Sequence, residues 1–296
     1  MCLSGHSTVI FFSCLSYFSW FNFLRSMIPN VLSIAGVDPS GGAGLLADLK
    51  TFSALGAYGT GVVAALTAQN TRGVTGVQAV PIEFIAQQLD TLFADVRIDA
   101  VKLGMLGTAE VVTTVAAALR RHGVRRLVVD PVMVSKSGHH LLSSDAVAAL
   151  RREILPLAEI ITPNLPEAEV LLGCPPIRTL ADMRTAARAL HVLGPCIVVL
   201  KGGHLDGSES IDVIDDGTTQ VELSSARIVT KNTHGTGCTL SAAIAALLPR
   251  HANPIDAIRA AKAYLTSAIA ASGELSVGSG HGPVHHFHNL WPPARS

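Results

Sequence analysis

Residues 232–239, NTHGTGCT, lead into a run in which Leu240, Ile244, Leu247 and Leu248 recur at helical spacing, so a glycine loop opens a helix. At such a place unpaired backbone N–H groups and the positive end of the helix dipole face outward. Gly235 and Gly237 carry no Cβ to block close approach, and an anion such as a phosphoryl group in transfer can lie on the amides. The same Gly-x-Gly also serves where a chain merely turns into a helix. Cys238 falls in the first turn, where dipole and amides favour a thiolate and lower its pKa. A thiolate there could take a proton from an attacking hydroxyl, while the protein otherwise positions reactants and stabilises charge. The competing role, a small buried hydrophobe, suits Cys174 and Cys196 better.

Lys201 runs into Gly202 and Gly203 and suits a point charge on a phosphate oxygen; a solvated lysine is the plainer reading. Asp130, Asn164 and Glu167 are oxygen donors suited to holding Mg²⁺ largely through water. Each alone also suits a cap or turn, and Asn164 and Glu167 flank a helix start. Two common nucleotide signatures are missing from the sequence. No Walker G-x-x-x-x-G-K-[ST] occurs, and Gly42-Ala43-Gly44 lacks the third glycine of a dinucleotide fingerprint. His281, His285, His286 and His288 lie close together, yet no cysteine or carboxylate joins them at a ligand spacing, so no protein-held metal site is expected there. His234 is expected to orient the glycine loop through a hydrogen bond rather than to move a proton.

These side chains need a scaffold, and the hydrophobic pattern supplies one. Short aliphatic runs alternate with longer Ala- and Leu-rich amphipathic runs, which is βαβ punctuation. Strands are expected at 31–35, 60–67, 100–103, 127–129, 159–162 and 196–200, with helices at 44–55, 82–94, 110–121, 145–154, 167–172, 180–193, 239–248 and 254–271. Segments 210–214, 220–223 and 227–229 are hairpin-like, with Asp216-Gly217 as a turn signal. Apolar strands buried on both faces imply a mainly parallel sheet with helices on each side, which binds ligands at the strand carboxyl ends. The polar clusters 36–44, 69–71, 102–105, 130–132, 162–167 and 201–204 follow successive strands and converge on one rim.

Of the 296 residues, 22 are Lys or Arg and 22 Asp or Glu, so there is no basic field to attract nucleic acid or an anionic membrane surface. Charged residues make up only 15% against 49% hydrophobic, which excludes disorder and demands buried layers. Five cysteines with no CxxC pair argue against a disulfide framework or structural zinc and fit a reducing, cytoplasmic compartment. The first 26 residues differ from the rest: Phe11, Phe12, Tyr17, Phe18, Trp20, Phe21 and Phe23 are seven of the chain's 14 aromatics. The apolar run 9–24 is short for a bilayer span, is broken by Ser13, Ser16, Ser19 and Asn22, and has no basic region before it. Residues 1–26 are therefore expected to be a leader outside the fold, added by an upstream start codon to a gene whose natural start is Met27. An interfacial or targeting segment, or genuine structure, are the alternatives. Residues 27–296 are expected to form a single domain.

The blocks DPSGGAGLLADLKTFSALGAYG, TAQNTRGV, KLGML, DPVMVSKSG, TPNLPEAE, KGGH, TKNTHGTGCTLSAAIAAL and GPVHHFHNLW follow one another between about residues 31 and 291. In this order they resemble the bacterial hydroxymethylpyrimidine/phosphomethylpyrimidine kinases of thiamine biosynthesis. The resemblance implies an α/β chain with a ribokinase-like three-layer α/β/α sandwich, a mainly parallel central sheet and, usually, a homodimer. It implies two successive phosphorylations using ATP and Mg²⁺, first of the small molecule 4-amino-5-hydroxymethyl-2-methylpyrimidine and then of its monophosphate. It places the anion hole at Gly235, Thr236 and Gly237, with Cys238 where sugar-kinase relatives have an aspartate base. It sets the pyrimidine against Gly36, Asp48, Gln69 and Met105, where the Gln69 amide can pair with the ring's donor and acceptor edge and Met105 supplies a polarizable face. ATP and Mg²⁺ fall near Asp130, Asn164, Glu167 and Lys201. The sequence departs from the family pattern at Val37, Thr60 and the leader. A pyridoxal or pyridoxine kinase of the same fold, and a pyrimidine-binding sensor without catalysis, are the alternatives.

Overall fold

The computed structural model of the chain describes residues 28–133 and 143–292. The expected leader and the VSKSG part of the DPVMVSKSG block, residues 134–138, lie outside the described residues.

Six parallel strands form the middle of one nine-stranded sheet: β1 (Asn30–Val37), β2 (Tyr58–Asn70), β4 (Ala100–Leu103), β5 (Leu127–Val129), β6 (Ile160–Ile161) and β7 (Ile197–Leu200). Apart from β2, which keeps Tyr58 and Leu66 exposed, their apolar side chains are buried on both faces, as helix-covered parallel strands require. Three antiparallel strands close the edges. β3 (Gly73–Ala79) pairs with β2, and the hairpin of β8 (Glu209–Asp215) and β9 (Gln220–Ala226) pairs with β7, giving the order β3-β2-β1-β4-β5-β6-β7-β8-β9.

Helices cover both faces. One hydrophobic cluster packs the sheet against α2 (Ile82–Asp95), α3 (Ala109–Arg121), α4 (Ser144–Ala149), α5 (Leu165–Leu172) and α6 (Leu180–Leu190). The other lies under α1 (Gly44–Ala54), α7 (Thr236–Leu247) and α8 (Pro254–Ala270). In α7 every residue from Thr239 to Ala246 is buried, because the helix lies between the sheet and the helices α1 and α8. Its run of alanines makes that close approach possible, for a helix apolar all round belongs in a core. Caps fix the starts of several helices: Thr108 accepts from the Val111 amide, and Thr179 with Asp182 forms a reciprocal capping box.

Strand β1 lies between β2 and β4, and the connections leaving β1 and β4 run to opposite faces, α1 on one and α3 on the other. Such a switch point opens a crevice beyond the strand carboxyl ends. The alternating pattern predicted most elements within a few residues. It missed β3, whose Gly73 and Gly76 are poor strand formers, and it stopped β2 short, so Gln69 sits in a strand and not in a loop. The expected helix 145–154 changes to a wider π turn at Leu150–Ile154. Cys196, expected inside, is exposed, while Cys174 is partly buried.

Candidate active site

A cavity of about 740 Å³ opens at the switch point and extends along the carboxyl ends of the parallel strands, a size suited to small ligands. The residues given catalytic, pyrimidine or nucleotide roles in the sequence all line it, except Asp48.

The cradle for an anion is built by α7. Its N-cap, Gly235, has φ +74, and a Cβ there would fall 1.8 Å from the Gly42 carbonyl oxygen, so only glycine fits. No side chain caps the helix, and the amides of Gly237 and Cys238 have no acceptor among the described residues. A Cβ on Gly237 would lie 3.1 Å from Lys201 Nζ and 3.5 Å from Asp130 Oδ2, which puts cation and carboxylate beside the open amides.

Lys201 is ion-paired, not solvated: Nζ lies 2.9 Å from Asp130 Oδ1 and 3.9 Å from Glu167 Oε2. Burial opposes its charge, but the carboxylates of Asp130 and Glu167 outweigh this and raise its pKa, so it remains an ammonium. Thr162 Oγ1 donates to the same Asp130 oxygen at 3.2 Å. Asn164 does cap α5, accepting from the Glu167 amide at 2.9 Å, while Glu167 Oε2 accepts from the Asn164 amide at 2.8 Å. The cap thus aims Glu167 into the cavity. Burial pushes its carboxyl up to about 7 against the pull of Lys201.

Two expectations are corrected. Cys238 lines the cavity, with the Gly44 amide nearby favouring its thiolate. Its pKa is not lowered: burial pushes the thiol up to about 11, outweighing the nearby Lys102 charge. Asp48 does not face the cavity or the solvent. It is fully buried, receives Ser33 Oγ at 2.6 Å, and holds Lys102 Nζ at 2.7 and 2.9 Å. It sits behind Lys102, which does line the cavity.

His234 orients its loop, as the sequence suggested. Its Nε2 lies 2.7 Å from Asp38 Oδ2, which also accepts from Ser40 Oγ at 2.9 Å and from the Ala43 amide at 3.0 Å. This latch joins the loop after β1 to the loop before α7. Gln69 Oε1 receives Thr67 Oγ1 at 3.2 Å, and Met105 presses on Gly36, where a Cβ would meet its Cε at 2.5 Å. The histidine-rich tail forms packing contacts. His286 Nε2 pairs with Thr239 Oγ1 at 3.2 Å, its carbonyl accepts Tyr264 Oη at 2.7 Å, and burial drops its pKa to about 3. Lys102, Asp38 and the Gly44 amide were not assigned roles in the sequence. A lone lysine within the apolar strand AVKL was the available signal for Lys102.

An amide cradle, a base-capable side chain and a cation flanked by carboxylates, at the switch point of a three-layer α/β/α sandwich, define a small-molecule kinase of the ribokinase-like class. Comparison with known proteins narrows the class. The phosphomethylpyrimidine kinase profile matches residues 38–285. A hydroxymethylpyrimidine/phosphomethylpyrimidine kinase from Escherichia coli (strain K12) is 54% identical over 262 residues, covering 88% of this chain and 98% of that protein. The solved phosphomethylpyrimidine kinase from Clostridium difficile 630 has a TM-score of 0.73 at 41% identity, covering 81% of this chain and 99% of that one. Pyridoxal kinase from Staphylococcus aureus in complex with AMP-PCP has a TM-score of 0.82 at 34% identity, covering 90% and 96%. The chain belongs to the phosphomethylpyrimidine kinase family.

Proposed function

We propose that the protein transfers the γ-phosphoryl group of ATP to the hydroxymethyl oxygen of 4-amino-5-hydroxymethyl-2-methylpyrimidine, and then a second one to the resulting monophosphate, for thiamine biosynthesis. One observation carries this reading. The bare amides of Gly237 and Cys238 share one cavity, with room for both reactants, with the Cys238 sulfur and with Lys201, Asp130 and Glu167, and in this reading the acceptor lies beside Cys238 and the nucleotide beside the other three.

In this reading Gly36, Gln69 and Met105 receive the pyrimidine, and Asp48 contributes by holding Lys102. Gly235, Thr236 and Gly237 bear the transferring phosphoryl group, and Lys201 neutralises charge on it. Cys238 takes the hydroxyl proton as a thiolate, a form favoured by the Gly44 amide and Lys102 and opposed by burial. Asp130 and Glu167 offer hard oxygen donors, and the Asp130 Oδ2 atom not engaged by Lys201 or Thr162 lies toward Gly237, a donor set that fits Mg²⁺ bound largely through water. When bound, the ion supplies charge neutralisation on the triphosphate.

ADP release measured with ATP and each acceptor tests the reading. Turnover is expected with the alcohol and with its monophosphate. No turnover with either would reject it, and inertness to every vitamin precursor would favour a sensor. The high structural similarity to a pyridoxal kinase supports a second reading, phosphorylation of pyridoxal, and competition between the two alcohols decides which is preferred. Homodimerisation is part of the same proposal. Exposed Tyr58, Leu66 and Val77 on β2 and β3 support it, and sedimentation measures it. A cytoplasmic setting is supported by three free cysteines among the described residues. No helix among those residues is long and apolar enough to cross a membrane.

A further inference from the structure

Lys102 and Asp48 form an ion pair with neither side chain exposed, 2.7 Å apart. Burying such a pair is weak as a source of stability, because desolvation can exceed the attraction gained. This pair has a direction. Lys102 borders the cavity and Asp48 does not, so the positive member of the pair is the one nearer the reactants. A Cβ on Gly104 would meet Lys102 Nζ at 2.9 Å, which places the ammonium beneath the turn Gly104-Met105, on the acceptor side. Ser33 and Asp48 fix it from behind, with Ser33 Oγ donating to Asp48 Oδ2 at 2.6 Å. The Cys238 sulfur feels the Lys102 charge more strongly than that of Asp48, in keeping with this orientation.

The two proposed transfers make different demands on this end of the cavity. In the first, a bond forms between the γ-phosphorus and the hydroxymethyl oxygen, the bond to the β–γ bridging oxygen breaks, ADP departs, and the hydroxyl proton needs a base. In the second, the same bond to ADP breaks but the attacking oxygen belongs to a phosphate monoester, which is mostly dianionic near neutral pH. That oxygen has no proton to lose. It brings negative charge toward a triphosphate instead, and a fixed positive charge offsets the repulsion.

We infer that Lys102, held by Asp48, is the specificity-determining residue that lets one site accept a phosphate monoester as well as an alcohol, while Cys238 serves chiefly the alcohol. The inference rests on the proposed two-step function. Its test compares kcat/KM for the alcohol and for its monophosphate across two variants, with folding checked by thermal melting. The double variant Lys102→Met/Asp48→Asn removes both charges and leaves no unpaired buried ion. Its kcat/KM for the monophosphate is expected to fall at least tenfold more than that for the alcohol, and Cys238→Ala is expected to show the reverse bias. Equal losses on the two acceptors in the double variant would overturn the inference. Should that variant not fold, binding to the wild-type protein with AMP-PCP present decides. Monophosphate affinity within tenfold of the alcohol's supports the inference, and weaker affinity overturns it. A wild-type protein active on the alcohol but inert toward the monophosphate would overturn it too, whereas inertness toward both strikes the proposed function itself.

Discussion

Cys238 shows how a single side chain answers to competing fields. A helix N-terminus lowers a thiol pKa and burial raises it, and here burial prevails, at about 11. Thiolate therefore increases about tenfold per pH unit between pH 7 and 10. Turnover of the alcohol is expected to rise with pH over that range and to lose this dependence in Cys238→Ala, whose rate should be lower by about 10²- to 10⁴-fold. A flat wild-type profile set by chemistry would remove the thiolate from the mechanism. Glu167 behaves in the opposite pH region. Its carboxyl is raised to about 7, so below that value a proton occupies the carboxylate proposed to face the cation. Nucleotide affinity in Mg²⁺ should decline as pH falls from 8 to 6, and Glu167→Gln should flatten the decline; calorimetric titration reads both. The glycine pair, the cysteine and Lys201 were legible in sequence because residue type and spacing carry their meaning. The hidden placement of Asp48 was not, since a carboxylate in a helical pattern is ordinarily solvated and only packing reveals the lysine it faces.

At the scale of elements, α7 matters most. Gly235 holds a left-handed conformation against the Gly42 carbonyl, so Gly235→Ala must displace the loop before the helix. Turnover should drop by about 10²-fold or more, in line with loss of preorganised amide donors. Retained activity would mean that the amides do not bear the phosphoryl group. The helix itself was readable from its spacing and glycine loop. Its central position was not, because the run from Thr239 to Ala246 has no polar face to orient. Elsewhere the sequence signal failed where propensity was weak. β3 carries Gly73 and Gly76 and depends on its neighbour β2 for its definition, whereas β6, only Ile160 and Ile161, falls inside the strand expected at 159–162.

For the whole molecule, alternation of apolar strands and amphipathic helices already implied a layered parallel sheet. Strand order was not implied, since placing β1 between β2 and β4 is a matter of three-dimensional crossover, not of local pattern. That order nevertheless determines the site, because it separates the loops that follow β1 and β4. The latch from Asp38 to His234 then ties residues almost two hundred positions apart into one floor. The uncapped start of α7 has an effect beyond chemistry. In the proposed reading an anion completes the first turn of this helix, the most enclosed among the described residues, so stability and occupancy are linked. A ligand at one hundred times its Kd adds about 2.7 kcal/mol, and melting temperature should climb with ADP or inorganic phosphate, less so in Gly235→Ala. Such a protein resists heat best while loaded, and between turnovers it is at its most fragile.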